Sequence, residues 1–416
     1  MHRPSTALLA GLAVAVLSTS ARAAEPLPEP ESLSVLEFAD ANTLFAADSV
    51  GGRIFAYELS GIPNTVDAVD SSAYNVTGLG RRIAEEIGVS PFALTYHDLA
   101  VHPVTRDAFV SLSVAGESGA QPALARVDVG GSVTVIDIRS LEGSLIELND
   151  AAEEDVTFWR DIPASTLTVT DLDFANGELF VAGLSNGEFA STLRRVPFPF
   201  SESYISSSVE MFHTAHGQNE TRAPIRAMSI TNLGGEPTVI AAYTCTPLVT
   251  VAVADLKEGA HVTGKTIAEL GYGNTPLEVV SFSAMNMEQK RENFVLVINR
   301  EMDADLIKLD DIASAQAVTK PVAYLGATVG VATTPLPLSG VLQAADQDIQ
   351  FLLTLKRNLD TGDMDLVSYR KGAYMRLSDF VSEYNFPDYA YAEEGEPIKQ
   401  FQNMLKMDEG YKDLVR

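Results

Sequence analysis

The chain has 416 residues, 46% of them hydrophobic, with a formal net charge of −27 and a single cysteine. So acidic a surface repels phosphate backbones and anionic lipid, which excludes nucleic-acid and membrane-surface binding as expectations and fits cationic partners, divalent metals or simple solubility. One cysteine cannot form an internal disulfide, so the fold has to be held by its apolar core.

The first element is a leader. Residues 1–23 combine Arg3, a short apolar run from Ala7 to Leu17, and small residues Ala21 and Ala23 near a cleavage point. That is the pattern of a bacterial secretory signal. Its removal takes away Arg3 and Arg22 and no acid, moving the formal charge from −27 to −29. The apolar run is short of the roughly 18–20 residues a membrane span needs, and no later stretch reaches that length. The expectation is a periplasmic or secreted protein without a transmembrane segment after cleavage.

Residues 24–378 read almost wholly as short strands. Segment 33–59 gives an apolar strand, a turn at Asp40 to Asn42, a second strand, a turn at Ser49 to Gly52 and a third strand. The pattern returns at 97–113, 169–196, 226–253, 277–309 and 339–369. A fourth strand such as SVTVIDI or KPVAYLG usually follows. Imperfect copies of a four-stranded meander at this spacing predict an all-β, six-bladed β-propeller, because one blade cannot bury both faces and a ring of neighbours can. The alternatives are a seven-bladed ring, with a degenerate blade within 139–168, and two β-sandwich domains. In the six-bladed reading, 139–168, which carries the only tryptophan, Trp159, is a long excursion between blades two and three. Residues 379–416 form an acidic C-terminal tail, partly helical, in which Ile398, Phe401, Leu405 and Leu414 share one face and dock as a cap.

The repeat pattern resembles that of exported bacterial β-propellers related to NHL-type and gluconolactonase-type folds. The strings GLSNGEFASTLRRVPFPF, AYTCTPLV and GNTPLEVVSF resemble those of a functionally uncharacterised family of secreted bacterial propellers. The resemblance implies the fold and leaves function open, since propellers host many unrelated activities.

Aligning the innermost strands on Leu36, Leu99, Leu172, Met228, Val280 and Leu342 places Ser34, His97, Thr170, Arg226, Glu278 and Gly340 at matching positions, with Asp98 and Asp171 following. A polar ring therefore surrounds the channel mouth on the lead-in face, where the chain enters each innermost strand. The loop HTAHGQNETRAP, with His213 and His216, and the turn YTCT, with Cys245, belong to the same face. Imidazole and thiolate suit copper or zinc, so His213, His216, Cys245 and His97 are the candidate metal ligands, against the plainer role of hydrogen-bonding loop carbonyls. If the metal is copper, Tyr243 lies two residues from Cys245, an awkward spacing for a side-chain cross-link. Asp98, Asp171 and Glu278 resemble the oxygen ligands of gluconolactonase-like propellers, which implies a calcium-like ion, although matching asparagines are missing and Arg226 puts a cation in the ring. Arg222 and Arg226 together suit a carboxylate ligand.

The chain has no GxSxG elbow, no CxxCH haem attachment and no glycine-rich dinucleotide fingerprint. The functional expectation is a periplasmic binding or accessory protein whose channel mouth takes a small molecule, a metal or a partner protein. The alternative is a metal-dependent enzyme, either a lactonase-like hydrolase or a copper oxidoreductase.

Overall fold

A computed structural model of the chain describes residues 26–371, apart from 62–71, 118, 158–161, 202, 245, 272–273, 287–289, 323–327 and 339. The leader, Trp159, Cys245 and the C-terminal tail therefore lie outside the described residues.

Strands β1 (Val35–Phe38), β2 (Thr43–Asp48) and β3 (Arg53–Glu58) open the first sheet. The two-residue β4 (Asn75–Val76) and helix α1 (Leu79–Ile87) follow. The second sheet is the meander β5 (Leu94–Val101), β6 (Ala108–Gly116), β7 (Gly119–Val127) and β8 (Val133–Ile136). The chain then returns to the first sheet, where β9 (Glu142–Glu147) pairs with β3. The segment read as an excursion thus begins as the outer strand of the first sheet.

Next come β10 (Asp171–Ala175), β11 (Glu178–Leu184), β12 (Ser191–Pro197) and β13 (Ile205–His213), with β14 (Gln218–Glu220) folding back on β13. Strands β15 (Ile225–Leu233), β16 (Glu236–Tyr243), β17 (Pro247–Ala252) and β18 (His261–Glu269) form the following meander. The outermost strands β13 and β18 pair in parallel, fusing these two units into one ten-stranded sheet and leaving neither edge open there.

Then come β19 (Pro276–Met285), β20 (Arg291–Asn299) and β21 (Ala304–Lys308). After helix α2 (Leu309–Ser314), the two-residue β22 (Val329–Gly330) pairs with β18, and β23 (Thr334–Leu336) completes the sheet of β19 to β21. In KPVAYLG, Lys320 to Val322 have no strand pairing among the described residues, and the rest of the string, 323–326, lies outside them; β23 takes the outer place in this sheet. The last sheet, β24 (Val341–Asp346), β25 (Phe351–Arg357) and β26 (Met364–Arg370), takes its outer strand from β4 near the N-terminus. Tyr74 and Ser368 exchange hydrogen bonds across that seam.

The innermost strands close on themselves. β1 touches β5 and β10, β10 touches β15, β15 touches β19, β19 touches β24, and β24 touches β5. The sheets stand radially around an axis, a propeller arrangement in which the first sheet sits between the second and the third. Each gap is filled by its own apolar cluster. Phe45 and Val181 meet between the first sheet and β10 to β12, for example, and Phe55 and Phe109 between the first and second sheets. Strands buried on both faces explain why β2, β6, β11 and β16 read as continuous apolar runs instead of alternating.

Candidate functional site

The axis holds a cavity of about 480 Å³, lined from all of the innermost strands and rich in acids: Glu37, Asp98, Asp171, Asp173 and Glu278, with Asp346 and Asp348 beyond them. Among the described residues Arg106 is the only basic one of the lining. The lining runs from the acids at the start of the innermost strands to Phe38, Pro103, Arg106 and Asp348 at or just after their far ends. The cavity therefore extends away from the lead-in face.

The acids also join neighbouring strands. Asp98 accepts from the backbone N–H of Leu36 at 2.7 Å, and Asp171 accepts from that of Met228 at 2.5 Å. Asp173 accepts from Ile230 N–H at 2.6 Å, and Gln343 Nε2 donates to the His97 carbonyl at 2.9 Å. These bonds run one way round the ring, side chains of β24, β5 and β10 each reaching the next innermost strand. Asp98, Asp171 and Glu278 share a further local bond, each accepting from the N–H of the residue that follows it.

So many carboxylates buried around one cavity resist ionisation. Burial pushes Asp98 up to about 6, although the two backbone N–H groups and the Arg226 guanidinium oppose it. Burial likewise pushes Asp173 up to about 6. Asp171 lies well above the usual carboxylate range, through burial and then the charge of Asp98. Glu278 does so through burial, then Asp171 and Asp98, and Glu37 through burial, then Asp173 and Asp171.

Sequence reasoning placed Asp98, Asp171 and Glu278 on the axis and overlooked Glu37 and Asp173. β-bulges at matching places correct the register of the innermost strands. They set off His97, Arg226, Leu277 and Leu342 as extra residues at the starts of β5, β15, β19 and β24. Glu278 consequently falls level with Asp98 and Asp171, not with His97 and Arg226. The signal for the overlooked pair was an acid flanked by apolar residues, in LEF at 36–38 and LDF at 172–174.

His97 and Arg226 do not line the cavity. His97 Nε2 meets Ser113 Oγ at 3.0 Å, and burial holds its imidazole below the usual histidine range. Arg222 is exposed in the connection before β15. His102 is structural: its Nδ1 accepts from the N–H groups of Val104 and Thr105, which leaves Nε2–H to donate to the Ala41 carbonyl.

Of the proposed metal set, Cys245 lies outside the described residues and His97 lies apart from His213 and His216. His213 ends β13, the outermost strand of the β10 to β13 unit, about three strand spacings or ~14 Å from the innermost strand β10. It gathers with His216 and Glu220, not with His97. His213 Nδ1 lies 2.6 Å from His216 Nδ1 and 2.9 Å from Glu220 Oε2, and His216 Nδ1 lies 2.7 Å from Glu220 Oε1. Among the described residues this is the one group of three or more such side chains whose ligand atoms lie within 4.8 Å of one another. Tyr243 is fully buried in the apolar cluster around Phe180 and Met228.

This geometry defines the class: a β-propeller with an acidic axial cavity and a separate histidine cluster at its rim. No protein-family model and no curated protein matches the chain. Among solved structures it is similar to extracellular domains 1-2 of Drosophila semaphorin 1b, at 10% identity and a TM-score of 0.35, covering 86% of this chain and 90% of that one. It is also similar to Kuenenia stuttgartiensis hydrazine synthase, at 12% identity and a TM-score of 0.32, covering 86% and 100%. Likenesses this distant carry no argument about function. Among the described residues no helix is long and apolar enough to cross a membrane.

Proposed function

We propose that the protein is an exported binding protein, a six-bladed propeller whose axial cavity takes a small organic cation. The carrying observation is that Glu37, Asp98, Asp171, Asp173 and Glu278 line one cavity whose described lining holds a single basic residue, Arg106, with Arg226 acting on Asp98 from outside that lining. A volume of about 480 Å³ suits a small organic molecule, since ligand pockets span roughly 300–1,000 Å³. No three axial carboxylates among the described residues bring ligand oxygens within 4.8 Å of one another, which favours a spread-out cation over the compact ion that a lactonase-like hydrolase would use. An ammonium or guanidinium group entering the ring relieves the mutual repulsion of the acids and replaces their lost hydration with charge-assisted hydrogen bonds.

Calorimetric titration with 1,4-diaminobutane tests this reading. The expected result is saturable binding to one site per chain, weakened about tenfold or more in Glu278→Gln, with 1-butanol not binding. Equal affinities of the wild type and Glu278→Gln would sink it.

A further inference from the structure

The rim cluster has an internal conflict that hydrogen bonding cannot resolve. In the β13–β14 hairpin Met211 pairs with Glu220 and His213 with Gln218, so Met211, His213, Gln218 and Glu220 share one face. The tight turn through Gly217, at φ 68°, swings His216 over that face. Both Nδ1 atoms then point at the same carboxylate and at each other. For each imidazole to donate to Glu220, each Nδ1 must carry a proton, and two protonated Nδ1 atoms cannot sit 2.6 Å apart. If one Nδ1 gives up its proton to accept from the other, its own contact with the carboxylate becomes repulsive. A cation between them satisfies all three groups at once.

We infer that His213, His216 and Glu220 form a binding site for a zinc-class divalent metal, separate from the axial cavity. Two imidazole nitrogens and a carboxylate oxygen are the donors that zinc accepts at about 2.0–2.2 Å, with a fourth position for water or an incoming ligand. Tetrahedral coordination at that distance needs donor atoms about 3.3 Å apart, so the side chains spread by roughly half an ångström as the ion enters. The surroundings suit this. His213 is buried at the strand end, whereas His216 is 43% exposed and leaves the fourth position facing water. Gln218 Nε2 donates to Glu220 Oε1 at 2.8 Å and orients the carboxylate, as outer partners of metal ligands do. The connection between α2 and β22 covers the turn: Val322 N–H donates to the Thr214 carbonyl, and a Cβ on Gly217 would lie 2.8 Å from Pro321.

The test is calorimetric titration of chelator-treated full-length mature protein with zinc chloride, with cobalt(II) absorption as a second readout. The wild type is expected to bind one zinc per chain and to give the visible bands of tetrahedral cobalt. His216→Ala, a change at a half-exposed side chain that leaves the fold intact, should weaken zinc about 100-fold or more, beyond the cost of losing an outer partner. Glu220→Gln should weaken it in the same direction, and Glu278→Gln should leave it unchanged. Absence of stoichiometric zinc, or zinc held equally by His216→Ala and Glu220→Gln, would overturn the assignment. Loss of zinc in Glu278→Gln alone would do so too, by moving the ion to the axis. Because this site shares no residue with the axial cavity, either proposal can fail while the other stands.

Discussion

Single side chains in this protein differ sharply in what their loss should cost. Arg194 is fully buried. Its Nε donates to Asp150 at 2.7 Å, its Nη1 to the Thr168 carbonyl and its Nη2 to the Leu184 carbonyl. Tyr204 and Ser206 hydroxyls complete the ring around Asp150. Burial alone would raise Asp150, but the Arg194 guanidinium and the two hydroxyls outweigh it and hold the carboxyl below its usual range. Removing the arginine strands that carboxylate, so Arg194→Ala should lower stability by about 3–5 kcal/mol, the cost of breaking a buried pair from one side. Urea denaturation checks this, and a loss below about 1 kcal/mol would contradict it. The string STLRRVPFPF is noticeable in the sequence, but which of its two arginines is buried was not legible. Arg195, next along β12, is partly exposed and pairs with Glu178.

At the scale of elements, the least expected feature is the return of the chain to the first sheet. Gly143 sits opposite Tyr57 in the β3–β9 ladder at φ 152°, and a Cβ there would lie 2.0 Å from the Ala56 carbonyl oxygen. Gly143→Ala should therefore loosen β9 from β3 at a cost of about 1–3 kcal/mol, the range for local backbone strain. Hydrogen exchange should show faster opening of β3 and β9 with β10 to β13 unchanged; protection unchanged at β3 would contradict the pairing. The three-stranded repeats were plain in the sequence because each hairpin encodes itself through turn residues and apolar runs. SVTVIDI was legible as the outer strand β8, but β9 and β4 were not, because they pair with strands of a neighbouring sheet far away in the sequence. Nothing within LEGSLIEL indicates pairing with residues 53–58. The level of Glu278 was hidden too: the bulge residue Leu277, not Glu278, matches His97, and a single sequence does not display where a bulge falls. The HxxH spacing drew His213 and His216 together in the sequence and they do lie together, whereas Glu220 joins them only through the hairpin register.

For the whole molecule, the ring of acids links stability to pH. Asp98, facing Arg226, Asp171, Glu278 and Glu37, and Asp173, facing Glu37 and Asp171, are both pushed from the ordinary 3.8 to about 6. A carboxyl with a raised folded-state pKa binds its proton more tightly folded than unfolded, so its contribution is fully present below about 4 and is lost as pH rises through about 6. The ligand-free protein should consequently melt higher at pH 5 than at pH 7, a difference reduced in Asp98→Asn. A lower melting temperature at pH 5 in the wild type, with the same trend in Asp98→Asn, would contradict this. Cation binding has the opposite dependence, since protonated acids attract no ammonium group. Diamine affinity should rise from pH 5 to pH 7.5, and binding near pH 6 should release protons, seen as a dependence of the observed heat on buffer ionisation.

The most direct measurement is a crystal structure of the protein grown with 1,4-diaminobutane at pH 7.5. The expected result is the diamine on the axis, with an ammonium nitrogen within hydrogen-bond distance of Glu278 or Asp171. An axial cavity holding only water, with the diamine bound elsewhere on the surface, would contradict it.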